Sequence, residues 1–377
     1  MYIQILIFIL AFIGLYYFKD TGTYSQRLRA RKRYVIFLMT LLTLQSGLRN
    51  VAVGGDTLAY YYMFDSVMAS SWDSVLYEAA LKGSIDPGYT ILSKVFSMII
   101  PSYRLYLIAI AVFFFTALGR LLYRYLNSNK DILVSIALYE CLYYSFFSVT
   151  GLRQTIATAI LFYALPLILN KRNGLRDTVH IFVLVILAST IHRSALLFAP
   201  VYFLPRIHNN KYVFLGTFAM FIPVFSIGSI LGPILDNSDF ERYAHYMEQS
   251  ETTGAIVFSL YIVFLVLATF LKLKSINAYS QYNYVFTSAI AIAMLLTPLL
   301  MLNPNNQRIV QYYSIFGLFI LPQICCAYSG RKGRTSLYIF VFVLFASYTI
   351  MRHEPYAFFW QDMTFGDSGQ IVNDSKL

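Results

Sequence analysis

The chain has 377 residues, of which 58% are hydrophobic and 12% charged, with a formal net charge of +11. Soluble domains average about 25% charged residues, so a soluble fold is excluded. The positive charge lies mainly in short segments between apolar runs, which marks it as membrane-topology information and not as a nucleic-acid-binding surface.

Apolar runs in chain order predict spans at 1–18, 34–48, 104–124, 132–149, 153–170, 177–191, 194–205, 211–231, 254–271, 281–302, 308–327 and 335–351. The first reads as a retained span, because it has no basic leader and no small-residue cleavage site. Six basic segments between the runs carry 19 of the 29 Lys and Arg residues: Lys19–Arg33, Arg120–Lys130, Lys171–Arg176, Arg206–Lys211, Lys272–Lys274 and Arg331–Arg334. Placing these six in the cytoplasm gives an all-α polytopic membrane protein of about twelve crossings with both termini outside. Residues 1–351 form a single membrane domain with outer loops 49–87 and 232–253, and 352–377 form an outer tail. Residues 88–101 are apolar but short and end at Pro101, so they read as an interfacial or re-entrant helix. Residues 177–205 contain two short pieces whose tip is Ile191-His192-Arg193-Ser194. Asp239–Glu251 places Phe240, Tyr243, Tyr246 and Met247 at helical spacing, as in an amphipathic surface helix.

Several arginines fall on the outer side in this topology. Arg49, Arg153, Arg193 and Arg308 stand at outer mouths of spans, and Arg242 lies in an outer loop. Cations there go against both the positive-inside rule and the cost of charge at a membrane boundary. A cluster kept in such places fits the binding of an anion. In Gly47-Leu48-Arg49-Asn50 followed by Gly54-Gly55-Asp56-Thr57 and Tyr60, a glycine turn presents a carboxylate beside a cation. The plain alternative is an Arg49–Asp56 ion pair with Asp56 as a helix N-cap. In Gly151-Leu152-Arg153-Gln154, an arginine opens a helix and opposes its dipole, unless it and the free N–H groups grip a phosphate together. The plain alternative is a snorkelling anchor. His192 beside Arg193 at a helix break can serve as a base, or it is a satisfied structural histidine. Asn303–Gln307 delivers Arg308 to a span, Asp86-Pro87-Gly88-Tyr89 adds a carboxylate, and Arg242-Tyr243 adds a further cation. The clustered tyrosines Tyr60–Tyr62 and Tyr143–Tyr144 suit the interfacial belt or sugar stacking. Cys141, Cys325 and Cys326 lie in apolar runs and suggest neither a disulfide nor a zinc site. There is no HExxH, paired CxxC, DxD, P-loop or GxGxxG motif, so neither a metal nor a cofactor is expected.

Taken together, Arg49-Asn50, Gly55-Asp56-Thr57, Tyr60, Asp86-Pro87-Gly88-Tyr89, Gly151–Gln154 with Ala157, His192 with Ala195, Arg242-Tyr243, Arg308 with Tyr312-Tyr313, and Pro355-Tyr356 resemble the EpsG-like family. That family belongs with the Wzy-type polymerases of O-antigen, capsule and exopolysaccharide. The resemblance covers nearly the whole chain and implies a membrane-embedded fold similar to glycosyltransferases that use lipid-linked (GT-C-like) donors. It implies a bacterial inner-membrane enzyme that transfers a growing glycan from undecaprenyl diphosphate to a lipid-linked repeat unit, without a metal. A flippase and a chain-length regulator of the same pathway are the implied protein partners, beside membrane lipid. Expected catalytic residues are Asp56, His192 and Arg153, with Asp86 as a third candidate for the base. Arg49, Arg193, Arg308, Arg242, Asp86, Tyr60 and Gln154 are expected to bind the diphosphate and glycan. A polysaccharide ligase using the same donor is the nearest alternative, and a lipid-linked glycan transporter is a further one.

Overall fold

The computed structural model describes residues 3–81, 86–170, 174–207, 209–235, 249–302, 304–329, 333–352, 355–365 and 370–372. These residues are almost entirely helical, and Arg242 and the segment Asp239–Met247 fall outside them. Among the described residues four helices are long and apolar enough to cross a membrane: Tyr103–Tyr125, Gly254–Leu271, Asn283–Leu300 and Arg334–Arg352. The number rises to six if two bent pairs each count as one span. The protein is therefore a helical membrane protein. Shorter apolar helices include Ile3–Tyr17 and Leu152–Ile168.

The chain divides into two compact units. The first comprises Met1–Pro166, Arg176–Leu196 and Thr335–Leu377. It opens with α1 (Ile3–Tyr17) and α2 (Tyr24–Gly47), whose start is fixed by a capping box between Thr23 and Gln26. Two short helices follow, α3 (Thr57–Ala69) and α4 (Trp72–Ala80), and then the amphipathic α5 (Pro87–Ile99), which occupies the stretch expected to lie at the interface. The long α6 (Tyr103–Tyr125) packs along α2. Gly47 and Gly119 make this possible, since a Cβ on Gly47 would lie 3.0 Å from Ile108 and one on Gly119 2.6 Å from Met39. Small residues allow helix backbones to approach in this way inside a bilayer.

The expected span 132–149 is broken. α7 (Asn129–Leu142) passes at a 70° bend into a π-helical segment, Tyr144–Thr150, and α8 (Leu152–Ile168) begins directly after it. Phe114 of α6 stacks on Phe147 at 5.3 Å and on Phe162 at 5.9 Å, which ties the broken helix to its neighbours. α9 (Leu175–Ile191) stops at His192, and a 3₁₀ helix, Arg193–Arg206, continues with Pro200 and Pro205 inside it. An α-helical reading of 194–205 is too short for a bilayer. The 3₁₀ form rises about 2.0 Å per residue, so its 14 residues reach about 28 Å.

After α17 (Arg334–Arg352) the tail folds back onto the turn that follows α2. Arg49 and Phe358 form a β-bridge, the Asn50 N–H donates to the Ala357 carbonyl at 2.9 Å, and the Phe359 N–H donates to the Leu48 carbonyl at 2.9 Å. Tyr356 packs with Ile3, Val53, Tyr144 and Val149 in a small core. A two-stranded antiparallel ribbon, β1 (Met363–Phe365) and β2 (Gln370–Val372), follows.

The second unit comprises Leu167–Leu175 and Leu197–Arg334. It contains α10 (Lys211–Leu235), α11 (Gln249–Leu271), α12 (Leu273–Tyr279), α13 (Asn283–Leu296), α14 (Pro298–Leu302), α15 (Gln307–Ser314) and α16 (Gly317–Tyr328). Phe286 stacks on Phe316 at 5.5 Å and on Phe319 at 4.9 Å in its core.

Candidate functional site

Three segments far apart in sequence meet at the carboxylate of Asp86, and all three lie in the first unit. Asp86 is 3% exposed. It sits at the N-cap of α5 in the left-handed region, with φ 64° and ψ 57°. Asp is one of the few residues other than glycine that tolerate this conformation. Pro87 then takes the first helical position, where its fixed φ suits the helix and its missing N–H costs nothing. Gly88 lies so close to the end of α9 that a Cβ would be 2.4 Å from the Thr190 hydroxyl and 2.9 Å from its carbonyl carbon. The Asp86-Pro87-Gly88 sequence is thus a device for placing one carboxylate against His192.

That carboxylate has three donors. The Arg193 backbone N–H donates to Oδ1 at 2.8 Å. Arg153 Nη1 donates to Oδ2 at 3.1 Å, and His192 Nδ1 stands 3.1 Å from the same oxygen. Burial pushes the Asp86 carboxyl up. The hydrogen bonds from His192 and the Arg193 N–H, attraction to His192 and the Arg153 hydrogen bond together hold it below its ordinary value. An ionised carboxylate only accepts, so His192 Nδ1 must carry a proton. In the neutral ring the lone pair is then on Nε2, which is buried and has no hydrogen-bond partner among the described residues. This is the arrangement by which a carboxylate fixes the tautomer of a histidine base.

Arg153 stands in the first turn of α8, as expected from the sequence. Its guanidinium lies over the rings of both Tyr60 and Tyr89, 5.4 Å from each centroid, and those rings meet edge-on at 5.7 Å. Its Nη2 approaches Met63 Sδ at 3.9 Å. Arginine, with its delocalised charge, suits such an aromatic neighbourhood better than lysine does. Gly151, just before it, packs on Phe146, where a Cβ would come within 2.5 Å. Gln154 is 1% exposed. The side chain of Arg193 is exposed, while its backbone holds Asp86.

Arg49 is 2% exposed and points inward. Its guanidinium donates to the Ser46 carbonyl through Nη1 and to the Val149 carbonyl through Nη2 at 3.0 Å. It thereby satisfies carbonyls at the end of α2 and in the π-helical break. Asp56 occupies the N-cap position of α3 but makes no side-chain capping bond, and it stands one turn before Tyr60. The Gly54 turn, at φ 88°, packs on Val149 so closely that a Cβ would meet it at 2.2 Å. Arg308 is in the first turn of α15, in the second unit. Arg242 lies outside the described residues.

Two features were not singled out from the sequence. Tyr89 was only part of a motif, yet it forms one wall of the Arg153 cage. Glu140, 2% exposed within α7, accepts a hydrogen bond from Gln45 Nε2 at 2.9 Å. A carboxylate inside an apolar run is itself a signal of function or of a buried network, and it could have been noticed.

No curated protein and no solved structure matches the chain. The profile of the EpsG family matches residues 32–361, a range that includes every member of the Asp86 cluster. With most of its length matched, the chain belongs to the EpsG family, a family of Wzy-like polysaccharide polymerases.

Proposed function

We propose that this protein extends a polysaccharide by transferring a growing glycan from undecaprenyl diphosphate to a lipid-linked oligosaccharide repeat unit. The reaction takes place at the outer face of a bacterial inner membrane. The chain crosses that membrane about twelve times and has both termini outside. The observation that carries the reading is the Asp86–His192–Arg153 cluster, which combines an oriented base with cationic groups.

In this reading His192 is the catalytic base and Asp86 the positioning residue behind it. A sugar hydroxyl of the incoming repeat unit donates its proton to Nε2 as its oxygen attacks the anomeric carbon of the donor glycan. The bond between that carbon and the diphosphate oxygen breaks, and its electron pair leaves with the lipid diphosphate. Negative charge on the departing phosphate grows along this path, so cations placed beforehand stabilise the transition state more than the ground state. Asp86 carries one negative charge against the Arg153 guanidinium, and the exposed Arg193 side chain adds a second cation. The pair of arginines therefore leaves net positive charge for the diphosphate. A flippase supplies the repeat units, and a chain-length regulator is a further partner.

The test is the lipid-linked glycan profile of a deletion strain complemented with wild type, His192→Ala or Arg153→Ala. It is resolved by ladder gel and mass spectrometry at matched expression. Single repeat units on the outer face without a ladder are expected for both variants. A normal ladder from either variant would sink the assignment. Repeat units trapped in the inner leaflet of the deletion strain would point to a transporter.

A further inference from the structure

α3 presents two faces to two different places. Tyr60 faces Arg153 and Tyr89. The next residue, Tyr61, joins Phe64 and Asp65 in lining a separate cavity of about 430 Å³. The opposite walls come from Tyr103 and Arg104 at the start of α6 and from Phe359 of the tail. These walls are held in place. Tyr61 meets Tyr103 edge-on at 5.5 Å, and the Tyr103 hydroxyl donates to the Thr57 carbonyl at 3.2 Å. Arg104 lies over the Phe359 ring at 4.6 Å while donating to the carbonyls of Gly47 and Arg49. Phe359 is fixed by its own backbone bond to Leu48. Beyond it, Trp360 is 50% exposed and stacks on Phe358 at 4.5 Å.

The chemistry of this lining selects among ligands. An acyl chain gains nothing from Asp65 and Arg104. A small anion is repelled by Asp65 and a small cation by Arg104. A sugar ring fits both kinds of wall: its C–H faces lie against aromatic rings, and its hydroxyls donate to a carboxylate and accept from a guanidinium. Preformed pockets of about 300–1,000 Å³ with apolar walls and a few polar groups are the usual form of a ligand site. We propose that this cavity is a glycan subsite, holding sugar units of the chain beside the Asp86–His192–Arg153 cluster. The nature of the glycan rests on the polymerase reading, while the existence of the subsite does not depend on the catalytic roles given to His192 and Arg153.

The experiment uses the full chain in lipid nanodiscs. The probe is a set of lipid-free oligosaccharides cut from the surface polysaccharide of the producing cell, and binding is read by saturation-transfer NMR. Wild type and Arg153→Ala are both expected to transfer saturation from aromatic protons to sugar ring protons. Tyr61→Ala and Phe359→Ala are each expected to weaken binding by about 2- to 10-fold, the scale of one lost aromatic contact. Asp65 is exposed, so Asp65→Asn leaves the fold intact and gives an independent variant with a weakening in the same direction. No transfer to wild type, or affinities in Tyr61→Ala and Asp65→Asn equal to wild type, would overturn the subsite. Polymer made normally by Arg153→Ala would refute the catalytic reading instead, and the binding result would still decide the subsite.

Discussion

Asp86→Asn is the sharpest test of the cluster, because it changes one atom and almost no volume. The amide oxygen can still accept from the Arg193 N–H. The amide nitrogen, however, replaces Oδ2, which stands 3.1 Å from both Arg153 Nη1 and His192 Nδ1. Two donors then face a donor. Hydrogen bonds to charged groups are worth about 1.5–3 kcal/mol each. Losing both at a site 3% exposed would cost roughly 3 kcal/mol, taking the lower end because the Arg153 side chain is 21% exposed, and a shift of the His192 tautomer, which restores one bond, reduces this to roughly 1.5 kcal/mol. The catalytic effect should be larger. His192 can relieve the clash by moving its proton to Nε2, where it can no longer act as a base. A wrong-tautomer change of this kind costs about 10⁴-fold in rate, equivalent to about 5 kcal/mol of transition-state stabilisation. The assay is repeat-unit extension by purified protein, run with a thermal melt so that rate is compared at equal folded fraction. Extension within about tenfold of wild type by a folded variant, well short of the rate loss a tautomer change produces, would refute the claim that Asp86 orients the base.

Three further outcomes follow from the same geometry. Gly88→Ala places a methyl 2.4–2.9 Å from Thr190 and should cost about 1–3 kcal/mol through overpacking, visible as a lowered melting temperature. Arg49→Ala should reduce folded yield and stability by about 3 kcal/mol or more, because it strips buried carbonyls of their donor; a variant folded like wild type but failing to bind substrate would contradict this structural role. The Asp86 carboxyl is held below its unfolded value of about 3.9. Its contribution to stability is therefore present above that value and lost as pH falls through the lower folded value. Acid titration of wild type should show this loss, and Asp86→Asn should lack it. Equal acid sensitivity in the two proteins would show that Asp86 is not the responsible group.

The sequence showed where chemistry was kept but not what touches what. Arg153 at a helix start and His192 at a break stood out because each violates a local rule, a cation at the positive end of a dipole and a polar tip in an apolar run, whereas Asp86 before Pro87 follows the ordinary pattern of a helix start and showed only as one more carboxylate. Their convergence was not readable, since it depends on the close approach of Gly88 to Thr190, a contact over about a hundred residues. Arg49 violates the same topological rule as Arg153 yet serves carbonyls inside the fold. Charge placement alone does not distinguish an arginine facing a ligand from one that satisfies a broken helix. The break at Tyr144–Thr150 was also hidden, because it contains neither proline nor glycine and its serines and threonine are tolerated inside a helix.

The break at His192 explains why a helix end was needed at all. In a continuous α9 the Arg193 N–H would be spent on the Ser189 carbonyl, four residues back. Because the α-helix ends with the His192 N–H on the Ala188 carbonyl, the Arg193 N–H is released and points to Asp86 Oδ1. The same break lets the His192 ring reach Oδ2 from the adjacent residue. One interruption of the backbone thus supplies two of the three donors on the carboxylate, and α8 supplies the third. A substitution that restored regular helix through 189–194 would therefore disable the cluster without touching Asp86, Arg153 or His192. The motif residues and the helix break between them form a single functional element.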